Sequence, residues 1–341
     1  MTGPETAPRA APDFPTVLVV GDDPPRQLAR LNRRARVLRA GSADHRALCA
    51  RLPLADALLV WDFASDAVRD AWPAAGARVP AWVHTASAGV DRLVFPELVA
   101  APTVLTNARG IFEQPVAEYV AGLVVAMAKD FRGTWELQRQ RRWRHRETMR
   151  VAGTRAVVVG AGPIGRAIAR TLAALGVRIE LVGRTRRDAD PEFGVVHQAG
   201  ALARLLPAAD WVVCAAPLTP ASRGMFDAAA FARMRPSARF VNVGRGPLVV
   251  ADDLAEALLT GRIAGAALDV FEDEPLDQDH QLWDIPGLFV SPHMSADTFG
   301  WQDELAEQFL ANYTRWTTGA PLFNIVDKRL GYVPVGPRPT P

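Results

Sequence analysis

Cysteine is scarce in this chain of 341 residues, which has only Cys49 and Cys214, far apart in the sequence. Two such thiols cannot form a disulfide framework, and alone they make a poor metal site. Both lie in apolar stretches, and a free cysteine usually behaves as a small buried hydrophobic residue. We therefore expect two buried thiols, no structural disulfide and no metal ion.

Long apolar runs are also absent, since no stretch reaches the roughly 18 residues needed to span a bilayer. The segment from Met1 to Pro15 contains four prolines and no apolar core of the kind found in secretory signals. The sequence therefore predicts no membrane association, a cytoplasmic location, and frayed proline-rich ends at 1–14 and 333–341.

An excess of either charge is missing as well, because 39 basic residues are opposed by 37 acidic ones, a formal net charge of +2. Such a balance provides no global attraction to nucleic acid or to a membrane surface. Lysine is nearly absent, with Lys129 and Lys328 the only two, which we interpret as a compositional bias toward arginine. Hydrophobic residues at 49% and charged residues at 22% are typical of globular proteins, and the length predicts two domains.

The sequence does contain a regular alternation of short apolar segments with amphipathic, alanine-rich ones. In the first hundred residues, strands are predicted at 16–20, 35–39, 57–61 and 81–84, with a helix-like segment at 27–34. After residue 107 the predicted elements are helix 114–131, strand 155–159, helix 164–175, strands 177–182, 211–214, 239–243, 264–269 and 288–290, and helix 301–317. Strands that alternate with helices indicate α/β domains whose parallel sheets are covered on both faces.

A glycine turn follows the strand predicted at 155–159. Gly160, Gly162 and Gly165 match G-x-G-x-x-G, with Pro163 and Ile164 before the last glycine. In such a turn the first glycine permits a tight bend, the second lets the backbone approach a pyrophosphate, and the third lets helix and strand pack closely. The helix N-terminus then faces the negative charge. The motif predicts a dinucleotide-binding site; the alternative is a structural turn without a ligand.

The end of the strand predicted at 177–182 determines which dinucleotide is preferred, because a carboxylate at this position normally binds the ribose hydroxyls of NAD. At this position the chain has Gly183, followed by Arg184, Thr185, Arg186 and Arg187. Guanidinium groups can clamp a 2′-phosphate through paired charge-assisted hydrogen bonds. The loop therefore favours NADP over NAD, with NAD as a second cofactor; the alternative is a solvated basic loop.

Polar side chains follow three further predicted strands. Arg245 comes after one strand, Asp269 and Glu274 come after the next, and His293 comes after a third. In a doubly wound sheet, ligands bind outside the carboxyl ends of the strands. These side chains can therefore converge on one crevice.

The order of these motifs, G-x-G-x-x-G, N-x-x-R-G, D-V-F-x-x-E-P and S-P-H, resembles the D-isomer-specific 2-hydroxyacid dehydrogenase family over about residues 16–325. The segment Gly183-Arg184-Thr185 is most similar to NADPH-dependent glyoxylate and hydroxypyruvate reductases. The resemblance implies two Rossmann-like, doubly wound parallel-sheet domains with a cleft between them. The substrate domain would be flavodoxin-like and discontinuous, at 1–106 and 296–341, with an NAD(P)-binding domain at 107–295.

The resemblance also implies a reaction: reduction of a small 2-keto acid to the D-2-hydroxy acid by hydride transfer from NADPH. His293 would donate the proton, since imidazole titrates near neutral pH. Glu274 would hold the ring and favour its protonated form, and Arg245 would bind the substrate carboxylate and polarise the carbonyl. A second class stays open, because the family includes corepressors that use the same NAD(P)-binding fold as a sensor with little turnover.

Other positions acquire roles from the resemblance alone. With Arg245 and His293, the substrate would meet the backbone N–H groups of Ser87, Ala88, Gly89 and Val90. Asp269 would lie on the nicotinamide side. The remaining cofactor contacts are expected at Pro217, Thr219, Val243, Gly244 and His293.

An arginine-rich segment with interleaved tryptophans, residues 132–150, is the one feature that suggests a polyanionic partner. In the resembled family this stretch belongs to a dimerisation arm, and Arg and Trp are typical of interfaces. We therefore expect a homodimer formed through the cofactor domain and this arm, and no nucleic-acid partner. A solvated face is the alternative.

Overall fold

The computed structural model describes residues 14–74 and 76–334. The ends predicted to be frayed, 1–14 and 333–341, therefore lie almost wholly outside the described residues. The chain divides into two compact units: the first runs up to Ala108 and resumes at Gln302, and the second is Arg109–Trp301. Both junctions fall a few residues after the predicted ones at 106/107 and 295/296.

The first unit contains one parallel sheet. Its strands are β1 (Thr16–Val20), β2 (Arg36–Ala40), β3 (Ala57–Val60), β4 (Trp82–Thr85) and β5 (Val104–Thr106), and its helices include α1 (His45–Arg51), α2 (Ala67–Asp70) and α3 (Pro96–Ala100). The strand order β2-β1-β3-β4-β5 is the flavodoxin-like order that was predicted. The segment predicted as helix-like is a 3-10 helix, Arg26–Arg33, and β5 was not predicted.

Both faces of this sheet are buried, because β1 alternates between two apolar clusters. One cluster includes the C-terminal helix, Trp301–Thr317, which has the bounds that were predicted. Trp82 of β4 stacks on Phe309 of that helix, with ring centroids 5.2 Å apart. The C-terminal segment thus covers the sheet that the N-terminal segment builds, which explains why the unit is discontinuous.

The second unit contains a larger sheet. Its strands are β6 (Arg155–Val159), β7 (Arg178–Gly183), β8 (Arg187–Asp190), β9 (Gly194–Gln198), β10 (Trp211–Cys214), β11 (Arg239–Asn242), β12 (Gly265–Leu268) and β13 (Leu288–Val290). The order is β13-β12-β11-β10-β6-β7-β9-β8, and only the β8–β9 pair is antiparallel. Strand order reverses between β6 and β10, and the crevice at such a point is the usual ligand site. The predicted α/β class is confirmed, with two sheets whose strand pairs are parallel except for β8–β9.

Six helices accompany this sheet in the described residues. They are α4 (Glu113–Ala128), α5 (Phe131–Arg139), α6 (Pro163–Ala174), α7 (Leu202–Leu205), α8 (Ala228–Arg233) and α9 (Ala251–Leu259). The predicted end of the helix at 114–131 is therefore wrong, because α4 ends at Ala128, before Asp130. That residue has a left-handed φ of +47°, and its carboxylate accepts a 3.0 Å hydrogen bond from Gly133 N–H, which caps α5.

The two cysteines differ in environment. Cys214 is buried in β10, as expected, and burial raises the pKa of its thiol to about 12. Cys49 is exposed, so the expectation of a buried thiol was wrong for this residue. Its neighbour Leu48 takes the core-facing position of α1, which leaves Cys49 Sγ on the outer face, 3.4 Å from His45 Nε2.

Both lysines bind backbone carbonyl groups. Lys328 Nζ donates to the carbonyl oxygens of Leu98, Ala101 and Thr103, at 3.0, 2.6 and 2.9 Å. Lys129 Nζ donates to the carbonyl of Met149 at 2.9 Å. A compact ammonium with three N–H donors suits a cluster of converging carbonyls better than the planar guanidinium fork does.

Within residues 14–74 and 76–334, no helix has the length and apolar character needed to cross a membrane. Among the same residues, no group of three or more His, Cys, Asp and Glu side chains is placed to hold a metal ion. The cytoplasmic location stays a prediction.

Candidate active site

The glycine turn joins β6 to α6, and its three glycines have different surroundings. A Cβ at Gly160, where φ is +122°, would overlap the carbonyl of Ala215, and a Cβ at Gly165 would overlap the carbonyl oxygen of Gly160. A Cβ at Gly162 would meet no atom within 4 Å. Gly160 and Gly165 thus permit close backbone packing, whereas Gly162 borders open space.

The N-terminus of α6 faces that open space without a side-chain cap. Gly162 is the N-cap residue and Pro163 opens the first turn. The N–H groups of Ile164 and Gly165 follow in a turn whose donors have no intrahelical acceptor. An uncapped helix start beside a glycine bordering open space suits a pyrophosphate, so the residues present fit the dinucleotide predicted from the motif.

Gly183 ends β7 close to this turn. A Cβ at Gly183 would lie 2.9 Å from the Cβ of Ala161 and 3.2 Å from a methyl group of Val196. The position therefore has no room for the carboxylate side chain that NAD-binding sites carry there. Arg184, Thr185 and Arg186 follow in the loop between β7 and β8.

Acidic side chains of β8 contact one arginine of this loop and one arginine of α6. Arg186 pairs with Asp188 at 2.6 Å, and both side chains are exposed. Asp190 is buried and pairs with Arg166 of α6, whose Nε donates to the carbonyl of Ala161 at 3.2 Å. The bond from Arg166 to Ala161 connects β8 with the glycine turn.

The loop after β10 carries Pro217 and Thr219. Ser222 Oγ donates to the carbonyl of Pro217 at 2.8 Å and accepts from Thr219 N–H at 2.9 Å. This serine, which sequence reasoning did not single out, holds the loop in a compact turn at the carboxyl end of the sheet.

The turn that carries Arg245 is held by Asn242, the last residue of β11. Asn242 is completely buried. Its Oδ1 accepts from Gly244 N–H at 3.0 Å and its Nδ2 donates to the carbonyl of Arg245 at 2.9 Å, while Val243 N–H donates to the carbonyl of Cys214 at 3.0 Å. Asn242 was part of the N-x-x-R-G motif but was not identified as a site residue.

Gly246 brings this turn against the loop that carries Glu274. A Cβ at Gly246 would overlap the carbonyl group of Phe271 and the nitrogen of Glu272. The N–H of Phe271 donates to Glu274 Oε1 at 2.8 Å. The glycine of N-x-x-R-G thus allows the segments of Arg245 and Glu274 to lie side by side.

Glu274 and His293 form a hydrogen-bonded pair, with 2.7 Å between Glu274 Oε2 and His293 Nδ1. Burial raises the pKa of the Glu274 carboxyl, but the hydrogen bonds from His293 and from Phe271 N–H outweigh it, so the pKa lies below its usual value. The charge of Arg245 acts in the same direction. An ionised carboxylate therefore accepts from Nδ1–H, and Nε2 has no hydrogen-bond partner among the described residues.

Asp269 holds the loop in which His293 lies. The carboxylate is buried: Oδ1 accepts from Ser291 Oγ at 2.7 Å and from Met294 N–H at 3.0 Å, and Oδ2 accepts from Ser295 N–H at 2.9 Å. His293 has a left-handed φ of +52°, which is costly unless the surrounding contacts impose it. The predicted contact of Asp269 with nicotinamide stays a prediction.

In the first unit, the loop Ser87–Val90 follows β4. Ser87 Oγ donates to the carbonyl of Gly89 at 2.6 Å, and Asn107 Nδ2 donates to that of Ala88 at 2.6 Å. The N–H groups of these four residues donate to no acceptor in the described part of the chain. The loop therefore presents backbone donors that a carboxylate could accept.

The arginine-rich segment 132–150 begins within α5 and continues beyond Arg139 without regular secondary structure. Its tryptophans are exposed, Trp135 by 64% and Trp143 completely. Both indole rings therefore lie largely in solvent, among arginine side chains.

Comparisons with known proteins agree with these features. Residues 121–295 match the family described as D-isomer specific 2-hydroxyacid dehydrogenase, NAD binding domain. The chain is 31% identical to glyoxylate/hydroxypyruvate reductase A of Serratia proteamaculans, over 73% of this chain and 81% of that protein. It is 30% identical to the glyoxylate reductase/hydroxypyruvate reductase of Homo sapiens, over 73% of this chain and 77% of that protein.

Solved structures show the same similarity. A D-isomer specific 2-hydroxyacid dehydrogenase family protein from Aeromonas salmonicida superposes with a TM-score of 0.78 at 32% identity, over 93% of this chain and 100% of that chain. An NADPH-dependent glyoxylate/hydroxypyruvate reductase from Sinorhizobium meliloti, crystallised with NADP and sulfate, gives 0.77 at 28% identity, over 93% and 100%. This chain therefore belongs to the D-isomer specific 2-hydroxyacid dehydrogenases, a family of NAD(P)-dependent oxidoreductases.

Proposed function

We propose that the protein reduces a small 2-keto acid, of the size of glyoxylate or hydroxypyruvate, to the D-2-hydroxy acid with NADPH. The observation that carries the proposal is the 2.7 Å pair of His293 and Glu274, next to the turn of Arg245. The dinucleotide supplies the hydride when bound. The chain's own residues hold the substrate and deliver the proton.

His293 is the proposed proton donor. Its Nδ1 is bound to an ionised carboxylate, so a proton on Nε2 is the one available to the substrate's carbonyl oxygen. Glu274 fixes the ring orientation, and it accepts no proton itself because its pKa lies below the usual value. This division of roles suits a reduction that adds one proton to oxygen.

Arg245 is the proposed binding group for the substrate carboxylate. A guanidinium presents planar, paired donors that match a carboxylate, and its positive charge would also polarise the neighbouring carbonyl. The N–H groups of Ser87–Val90 are proposed as a further binding site for the carboxylate, since they donate to no acceptor among the described residues.

The preference for NADPH is proposed from the loop after β7. Gly183 has no room for an acidic side chain, and Arg184 and Arg186 follow it. Relatives in the same family were crystallised with NADP or NADPH. Replacing Arg184 by Ala should weaken NADPH by about tenfold or more and leave NADH nearly unchanged, as measured by the two KM values; equal losses would refute the assignment.

The reaction is tested by loss of reduced-nicotinamide absorbance with NADPH and NADH in parallel, against glyoxylate, hydroxypyruvate, pyruvate and bulkier 2-keto acids. Turnover with NADPH and one of the small acids is the expected result. Silence across the panel while NADPH still binds would contradict the reductase and favour the sensor-like class.

A homodimer through the cofactor domain and the arm of residues 132–150 is also proposed. The exposed rings of Trp135 and Trp143 are large apolar groups of the kind that anchor interfaces. Light scattering should give twice the chain mass, and replacing Trp143 by Ser should shift the protein toward the monomer. A wild-type monomer at micromolar concentration would refute the dimer.

A further inference from the structure

The loop after β7 is flanked by two aspartates, Asp188 and Asp190, whose pairs with arginine differ in burial. Asp190 is buried and accepts hydrogen bonds from Arg166. It also accepts from the N–H groups of Glu192 and Phe193, both at 3.2 Å, and Arg187 Nε lies 3.4 Å from its Oδ2. The bonds from Arg166 hold the pKa of Asp190 at about 2. A buried carboxylate held by several donors stays paired with Arg166.

The second pair lies in solvent. Nε and Nη2 of Arg186 both lie 2.6 Å from Oδ1 of Asp188, and the side chains are 55% and 68% exposed. The two residues are separated by Arg187 alone, so the pair forms within one short segment. Exposed ion pairs contribute little to stability and exchange readily, which distinguishes this pair from that of Asp190.

We propose that Asp188 limits the selectivity of the protein for NADPH over NADH, because its carboxylate occupies the Nε–Nη2 edge of the Arg186 guanidinium that would otherwise bind the 2′-phosphate. This inference rests on the proposed function, which assigns the 2′-phosphate to the loop 184–186.

Carboxylate and phosphate oxygens use the same N–H donors of a guanidinium fork. A phosphate that binds the Nε–Nη2 edge of Arg186, which already faces Asp188 Oδ1, must displace Asp188 and then lies near the displaced negative charge. NADH has no phosphate at this position, so its binding requires no displacement. Asp188 therefore reduces the advantage of NADPH and leaves the affinity for NADH unchanged.

The direct test measures binding of 2′,5′-ADP and of 5′-ADP to the full chain by calorimetry at low salt. Asp188→Asn keeps the shape of the side chain and removes its charge. We expect 2′,5′-ADP to bind about threefold to tenfold more tightly than to the wild type, and 5′-ADP to bind within about twofold. Asp23→Asn, at an exposed aspartate of the first unit, changes the net charge equally and should alter neither affinity.

The role of Arg186 is tested in a double-mutant cycle. In an Arg186→Ala background, Asp188→Asn should lose most of its effect on 2′,5′-ADP, since no guanidinium is left to release. An equal gain with and without Arg186 would overturn the proposal, because the effect would then be simple long-range repulsion. Weaker binding of both nucleotides in Asp188→Asn would also overturn it.

Failure of the proposed function gives a different result. A wild-type protein that binds 2′,5′-ADP and 5′-ADP equally would refute the 2′-phosphate assignment itself. A wild type that prefers 2′,5′-ADP, together with an Asp188→Asn variant that behaves identically, would leave that assignment intact and refute the role of Asp188 alone.

Discussion

Gly246 and Phe271 lie so close that a methyl group on the glycine would overlap the phenylalanine's carbonyl group. This contact places the turn of Arg245 against the loop of Glu274. Replacing Gly246 by Ala should separate the two segments, cost about 1–3 kcal/mol of unfolding free energy as an overpacked site does, and lower kcat/KM for the 2-keto acid.

The matched control is Gly122→Ala in α4, where a Cβ meets no atom within 4 Å. Alanine favours a helix interior over glycine by about 0.5–1 kcal/mol, so this variant should be as stable as the wild type or more stable. Denaturant unfolding and steady-state kinetics of both variants check the prediction. Wild-type kinetics in Gly246→Ala would show that the close approach has no part in the site.

His293→Asn should lower kcat by about 10²–10⁴-fold, the usual contribution of a positioned acid, and leave NADPH binding intact. His197 offers a matched control, because its Nε2 pairs with Glu180 at 2.9 Å in the same unit. His197→Asn should leave kcat unchanged. Comparable losses in both variants would remove His293 from the proposed role.

Substitutions at Gly162 and Gly165 should have different effects, the first on NADPH binding and the second on the stability of the apoprotein. Gly165→Ala forces a Cβ onto the carbonyl oxygen of Gly160, so the apoprotein should lose stability. Gly162→Ala meets no protein atom and should unfold like the wild type, yet its methyl group enters the space proposed for the pyrophosphate. Thermal unfolding of both variants without cofactor tests the predicted stabilities. Titration of Gly162→Ala with NADPH tests the predicted loss of binding. Unchanged NADPH affinity in Gly162→Ala would place the pyrophosphate elsewhere.

Asp190 predicts a pH dependence of stability. Its folded-state pKa of about 2 lies below the ordinary 3.8, so the ionised carboxylate stabilises the native state above pH 3.8 and this stabilisation is lost as the pH falls toward 2. Asp190→Asn should lower the unfolding free energy at pH 7 by about 1–3 kcal/mol, with a smaller difference near pH 2. Asp188→Asn, at the exposed pair, should show neither effect.

Much of the fold could be predicted because strands buried on both faces are continuous apolar runs. Strands β1, β6 and β10 and the helix Trp301–Thr317 occupy the predicted positions. Strand β8 was missed because Arg-Asp-Ala-Asp has no apolar pattern. It is extended because it pairs with β9 and because Asp190 meets Arg166, a contact that is distant in sequence.

The motifs identified Arg245, Glu274 and His293 as residue types suited to the chemistry, but not the groups that hold them. Asn242, Gly246 and Ser291 act through backbone turns and close approaches, and such roles depend on neighbours from other strands. The apolar spacing around Cys49 was equally uninformative, because adjacent side chains of a helix point roughly 100° apart, so Leu48 can face the core while Cys49 faces solvent.

The unequal exposure of the two thiols makes the chain suited to labelling at a single position. A maleimide dye reacts with thiolates that solvent can reach; Cys49 is exposed, whereas Cys214 is buried and its pKa is raised to about 12. A fluorophore can thus be attached to α1 of the native protein without any engineered cysteine. Unfolding would expose Cys214, so the number of labelled thiols per chain would report the fraction of unfolded molecules.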